Sequence, residues 1–176
     1  RDLVYAFVGA HQKGYLSDIR SRIYKMDKQE NTVISNTGDW HFNKEVYSVS
    51  QRAGGRDDSL SEQHLRRTDT YNEILRRSRF SLCPSGSGPN SIRIWESLAV
   101  GSIPVILADT LELPTHPLWN DAVVFLPEAD LGSLDSVISE ISTAQESKMR
   151  QNCLALYAHF RNGYTGEVGS EKVVNC

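Results

Sequence analysis

The stretch Arg79–Pro114, RFSLCPSGSGPNSIRIWESLAVGSIPVILADTLELP, constrains the fold more than any other part of the chain. Phe80 to Cys83 is a short apolar run stopped by Pro84, which reads as a buried strand. Small and turn-forming residues follow, Ser85-Gly86-Ser87-Gly88-Pro89-Asn90, and then a helix is expected over Ser91 to Val100. Gly101 stands where a left-handed C-cap belongs, and Ile103 to Ala108 is a second apolar strand. Strands that are apolar throughout and joined through a helix lie parallel and are covered on both faces.

The rest of the chain extends this alternation. Leu3 to Val8 reads as a strand ended by Gly9, and Ile19, Ile23 and Met26 recur at helical spacing behind a polar loop. Val33 and Ile34 suggest a second short strand. A helix is expected from Ser61 to about Arg77, with Leu65, Tyr71, Ile74 and Leu75 on its buried side. Ala122 to Leu126 reads as a further strand, and helices over about Leu131 to Ile141 and Glu146 to Phe160 close the fold. The polar stretch from Asn36 to Glu62 is expected to be a long surface connection containing the Gly54-Gly55-Arg56 loop, with a strand near Val46 to Val49. The expected architecture is an α/β, Rossmann-like parallel sheet with helices on both faces. It occupies residues 1–162, followed by a loose tail over 163–176.

The totals fit one domain. The 176 residues are 39% apolar and 23% charged, enough apolar material for a core and too much for a disordered chain. A formal net charge of −3 argues against nucleic acid or an anionic membrane as a general partner, although Arg66, Arg67, Arg76, Arg77 and Arg79 make a local basic cluster. No apolar run approaches 18 residues, so no membrane span is expected. The chain opens at Arg1 without an initiator methionine, which points to a fragment. Cys83, Cys153 and Cys176 lack metal or disulfide spacing, and Cys83 reads as a small buried hydrophobe.

Ligands of doubly wound sheets bind beyond the carboxyl ends of the strands, here the loops after Val8, Cys83 and Ala108. The first amides of a helix lack partners and carry the positive end of its dipole, so small residues before Ser91 allow an anion to come close. Asn90 or Ser91 would cap that helix. Arg93 adds a planar fork for phosphate oxygens, and Glu96, three residues on and on the same face, can accept from ribose hydroxyls. The plain alternative is a solvent-exposed Arg93–Glu96 ion pair beside an ordinary glycine turn.

The same residues resemble the most recognisable stretch of the exostosin family of glycosyltransferases. Ser78, Phe80, Leu82, Cys83, Pro84, Gly86, Ser91, Arg93, Glu96, Gly101, Ile103, Pro104, Val105 and Ile106 carry the match in order, with Asp109, Leu113 and Pro114 after them. Phe7-Val8-Gly9 and Arg20 resemble the opening of that family's C-terminal half. The resemblance implies half of a GT-B enzyme: a donor domain for an inverting, metal-independent transfer from a nucleotide sugar to a glycan or glycoconjugate acceptor. A UDP-sugar is expected ahead of a GDP-sugar, with no further cofactor. Carried over, Arg93 and the loop Ser85, Gly86, Ser87, Gly88, Asn90 and Ser91 hold the diphosphate, and Glu96 the ribose. Gly9 and Arg20 face the same cleft. His11 is the histidine placed to act as a base or to touch donor phosphate, although such a base ordinarily comes from an N-terminal domain or partner subunit. The alternative is a non-catalytic GT-B-like domain that supports a partner chain or binds glycan. Localisation would be the Golgi lumen for a eukaryotic chain and the cytoplasm for a bacterial or viral one.

Overall fold

The computed structural model describes residues 1–27, 29–38 and 58–165, with 58–65 and 164–165 as backbone only. The expected strand near Val46 to Val49, the Gly54-Gly55-Arg56 loop and the Leu65 side chain lie outside the described residues, as does the tail from 166 onward.

Five parallel strands form one sheet in the order β2-β1-β3-β4-β5. They are β1 (Leu3–Gly9), β2 (Thr32–Asn36), β3 (Ser78–Pro84), β4 (Ile103–Leu107) and the two-residue β5 (Val124–Phe125). The helices are α1 (Ile19–Tyr24), α2 (Asp58–Arg77), α3 (Ile92–Val100), α4 (Trp119–Ala122), α5 (Leu134–Ser139) and α6 (Thr143–Thr165). A 3₁₀ turn, Glu128–Ser133, leads into α5, so the helix expected from Leu131 begins as a tighter coil. Helix α6 runs on to Thr165, past the expected end at Phe160 and through Gly163.

The apolar runs of β3 and β4 are the centre of the core. Phe80, Leu82, Ile103, Val105 and Leu107 are fully buried, as two-sided burial of a parallel strand requires. Ile94 and Leu98 of α3 pack onto them, and Ile19 and Ile23 of α1 are buried in the same core. Gly101 ends α3 at φ 67°, and its N–H closes onto Leu98 O at 3.1 Å, the left-handed cap that glycine adopts without steric penalty. Beside α3 lie α2 and α6, with Trp95 edge-on to both Trp119 and Phe160. Those tryptophans are therefore packing residues.

Candidate anion site at the sheet switch point

The strand order fixes where a ligand can enter. From β1 the chain steps outward to β2, returns past β1 to β3 and then proceeds the other way to β4 and β5. Neighbouring β1 and β3 are therefore followed by loops that diverge, and the crevice between them is the usual ligand position of a doubly wound sheet. Two arginines occupy it. Arg20, in the first turn of α1, donates from Nε to Ser85 O and from Nη1 to Ala10 O, both at 2.8 Å, so it ties the ends of β3 and β1 together. Its guanidinium lies 4.9 Å from the Tyr15 ring centroid and 5.7 Å from that of Phe7. Arg93, in the first turn of α3, reaches back to donate Nη2–H to Val8 O and lies 4.8 Å over the Phe7 ring.

The sequence places Arg93 at the helix start but does not fix its direction. Turned toward β1, it is only 9% exposed, and Nε has no partner among the described residues. An exposed Arg93–Glu96 ion pair is thereby excluded. Among the described residues neither Arg20 nor Arg93 forms an ion pair, whereas Arg77, Arg79 and Arg150 each pair with a carboxylate. Burial, and then the like charge of Arg93, hold the Arg20 guanidinium below its ordinary pKa. Strand-end carbonyls compensate these cations only in part. An oxyanion placed between them would supply the missing charge and a partner for Arg93 Nε.

Two glycines make room for this arrangement. A Cβ on Gly9 would fall 2.9 Å from Arg93 Nη2, and one on Gly86 would fall 2.9 Å from Arg20 Nη2. Each guanidinium thus rests where a side chain is missing. The Gly9 carbonyl is itself fixed by Tyr24 O–H at 2.7 Å and Thr37 N–H at 2.8 Å.

The loop before α3 divides into two parts. Ser85 N–H donates to Leu107 O and Gly86 N–H to Gly88 O, both at 2.9 Å, so those two amides are spoken for and shape the loop. The N–H groups of Ser87, Gly88, Asn90 and Ser91 have no protein acceptor among the described residues, nor do the first amides of α3 at Ile92 and Arg93. Ser91 occupies the N-cap in extended conformation, yet neither it nor Asn90 makes a side-chain cap bond, contrary to expectation. The helix start therefore keeps its donors open.

Glu96 lies deeper along α3, where its Oε2 accepts from Tyr71 O–H at 2.6 Å. The expected ribose ligand is thus already half engaged; Oε1 has no protein partner among the described residues. Burial, opposed by Arg93 and reinforced by Glu96, drives the Tyr71 phenol well above its usual range, so it stays a donor. His11, on the loop after β1, stands edge-on to Tyr15 at 5.7 Å, and its buried Nδ1 has no partner among the described residues. The structure thus brings His11, Gly9, Arg20 and Arg93 to one end of the sheet.

A family model for the exostosin GT47 domain matches residues 1–141 of the 176. The chain belongs to the exostosin GT47 family. A probable glucuronosyltransferase of Oryza sativa subsp. japonica is 43% identical over 76 residues, 42% of this chain and 18% of that protein. The probable glucuronoxylan glucuronosyltransferase IRX7 of Arabidopsis thaliana is 34% identical over 113 residues, 63% of this chain and 25% of its own length. The probable beta-1,4-xylosyltransferase IRX10 of the same plant is 41% identical over 76 residues, covering 42% of this chain and 18% of IRX10. The chain therefore spans about a quarter or less of the relatives it matches.

In this exostosin domain the sequence reading missed one feature. Beside Ser85, a cleft of about 230 Å³ is lined by Leu16, Ser17, Ser85, Asp109, Thr110 and Glu128. Ser17 O–H meets Ser85 Oγ at 3.2 Å, Ser85 O–H donates to Glu128 Oε1 at 2.8 Å, and Asp109 Oδ1 accepts from Glu128 N–H at 2.9 Å. Asp109 was accessible to sequence reasoning, since it follows β4 in one of the three loops named; Glu128, just beyond β5, was not. Cys83 lies fully buried in the same exostosin domain with its thiol pushed up to about 12 by burial, as its reading as a small hydrophobe implies. The rings of His116 and His159 lie 4.6 Å apart, tilted at 57°, beside Phe160, a packing role. Among the described residues no helix is long and apolar enough to cross a membrane.

Proposed function

We propose that this chain is the nucleotide-sugar-binding half of a GT-B glycosyltransferase, and that the protein containing it transfers a sugar by inversion, without a metal, to a glycan or glycoconjugate acceptor. The supporting observation is the pair of ion-pair-free guanidiniums, Arg20 and Arg93, beside the open amides that begin α3. As the glycosidic bond to the donor breaks, negative charge grows on the leaving diphosphate. Fixed donors aimed at that charge stabilise the transition state more than the ground state. Arg20, half-buried, meets the diphosphate directly; Arg93, behind it, presents Nε and holds the end of β1. The amides from Ser87 to Arg93 take the remaining oxygens. Glu96 accepts from the ribose through the oxygen that Tyr71 leaves open.

The named relatives are glucuronosyl- and xylosyltransferases, which supports a nucleotide-sugar donor and a polysaccharide product. A UDP-sugar is the favoured donor, with a GDP-sugar second. An N-terminal GT-B domain or partner subunit binds the acceptor and supplies the general base, and His11 contacts donor phosphate; should that domain supply no base, His11 is the residue placed to take the acceptor proton. Calorimetric titration with UDP and GDP tests the reading. Wild type should bind one of them, and Arg93→Ala should abolish the heat while the protein remains folded by circular dichroism. Equal heats for the two proteins would remove the site.

A further inference from the structure

The cleft beside the anion site carries a property that family membership leaves open. Its neighbourhood is fixed by one residue. The Ser85 carbonyl accepts from Arg20 Nε at 2.8 Å, while the Ser85 hydroxyl lines the cleft and donates to Glu128. Ser17 likewise links the two, because its Oγ accepts from Ile19 N–H at 3.3 Å at the start of the helix that carries Arg20. Anything covalently attached to a diphosphate at Arg20 thus has this cleft within a residue's width.

The lining chemistry is one-sided. Hydroxyls come from Ser17, Ser85 and Thr110, carboxylates from Asp109 and Glu128, and among the described residues no lysine, arginine or histidine lines it. Each carboxylate has one oxygen engaged, Glu128 Oε1 by Ser85 and Asp109 Oδ1 by the Glu128 amide, and the second oxygen of each has no donor among the described residues. Ionised carboxylates are acceptor-only groups and match sugar hydroxyls, which can donate. A sugar bearing its own carboxylate would set like charge against like, because Arg20 and Arg22 bond the Ser85 and Ala129 carbonyls at the rim and no cation is among the described lining residues.

We propose that this cleft is the donor-sugar subsite, that Asp109 and Glu128 are its specificity-determining residues, and that it takes a neutral sugar and rejects a uronic acid, which sets this chain with the relative named a xylosyltransferase and apart from those named glucuronosyltransferases. The proposal rests on the diphosphate reading above. The two acceptors orient the sugar ring through its hydroxyls, and the hydroxyl relay from Ser17 through Ser85 to Glu128 holds the second of them in place.

UDP-glucose and UDP-glucuronic acid test this cleanly, because they differ only in a hydroxymethyl group against a carboxylate. Each is titrated into the chain by calorimetry, with UDP as the reference on every variant; if GDP is the diphosphate that binds, GDP-mannose and GDP-mannuronic acid replace the pair. The neutral donor should bind at least about tenfold more tightly than the uronate, the scale of one like-charge contact. Glu128→Gln keeps an amide oxygen to accept from Ser85 and removes the charge; it and Asp109→Asn should narrow that ratio from both sides, weakening the neutral donor and strengthening the uronate. A wild type that binds both equally or prefers the uronate overturns the proposal, as does a ratio that neither substitution moves. Absence of binding by UDP and by GDP would instead sink the diphosphate reading itself.

Discussion

Replacing Gly86 by alanine should separate the anion site from the fold that carries it. The new Cβ would lie 2.9 Å from Arg20 Nη2, 3.4 Å from Cζ and 3.8 Å from Nε. Gly86 does not have a positive φ, so alanine fits the backbone, and the less flexible unfolded chain contributes about 0.4–1 kcal/mol of stability. The guanidinium must swing, which sacrifices one of its two 2.8 Å bonds to Ser85 O and Ala10 O at a cost of about 1.5–3 kcal/mol for a charged donor. The net destabilisation should be near 1–2 kcal/mol, a modest change for a domain of this size. Diphosphate affinity should fall further, about tenfold to a hundredfold, because the displaced group is the one that meets the ligand. Urea denaturation gives the first number and calorimetry with UDP the second. Gly132→Ala, where the added methyl meets nothing within 4 Å, controls for the substitution. A folded Gly86→Ala protein that binds UDP as tightly as wild type would refute the placement of Arg20.

Tyr71→Phe removes the 2.6 Å donor to Glu96 and leaves a part-buried carboxylate with one bond fewer, so urea denaturation should show a loss of about 1.5–3 kcal/mol. Affinity for UDP should fall in the same variant while affinity for inorganic pyrophosphate, which has no ribose, should not. Burial raises the Cys83 and Cys153 thiols from 9.0 to about 12. The unfolded chain therefore loses these protons first as pH rises. Stability is complete below pH 9 and should decline between pH 9 and 12, by up to about 1.4 kcal/mol per pH unit for each thiol. Denaturation midpoints measured at pH 8.5 and 10.5 check the slope, and Cys83→Ala should flatten part of it. Both thiols should resist alkylation in the native protein at pH 8 and react once urea unfolds it.

Local pattern carried much of the fold into view from the sequence. The apolar runs of β3 and β4 and the glycine at position 101 act through burial and backbone sterics, which depend on near neighbours, and β3, α3 and β4 stand within a residue or two of where periodicity put them. The parallel sense of the strands followed from the same alternation, whereas their order β2-β1-β3-β4-β5 did not. Side-chain direction did not. Arg93 turns its guanidinium over the ring of Phe7, more than eighty residues away, and helical spacing contains nothing about that ring. Ser91 reached the cap position without making the cap bond, because residue type sets a preference and not a geometry. The cleft was the least legible part. Ser17, Ser85, Asp109 and Glu128 belong to four separate loops, which meet only because parallel strands end on the same side. The loop rule pointed to that side of the sheet, but hydroxyl–carboxylate pairing across it depends on tertiary placement.

The central claim is that Arg20, Arg93 and the first amides of α3 hold a diphosphate. A crystal of this chain soaked with UDP, UDP-sugars and GDP-sugars tests it most directly. The account predicts diphosphate density in the crevice between β1 and β3, within hydrogen-bonding distance of Arg20 and of the amides that open α3, with the ribose toward Glu96. Density seated elsewhere on the chain, touching neither Arg20 nor the amides that open α3, would contradict it.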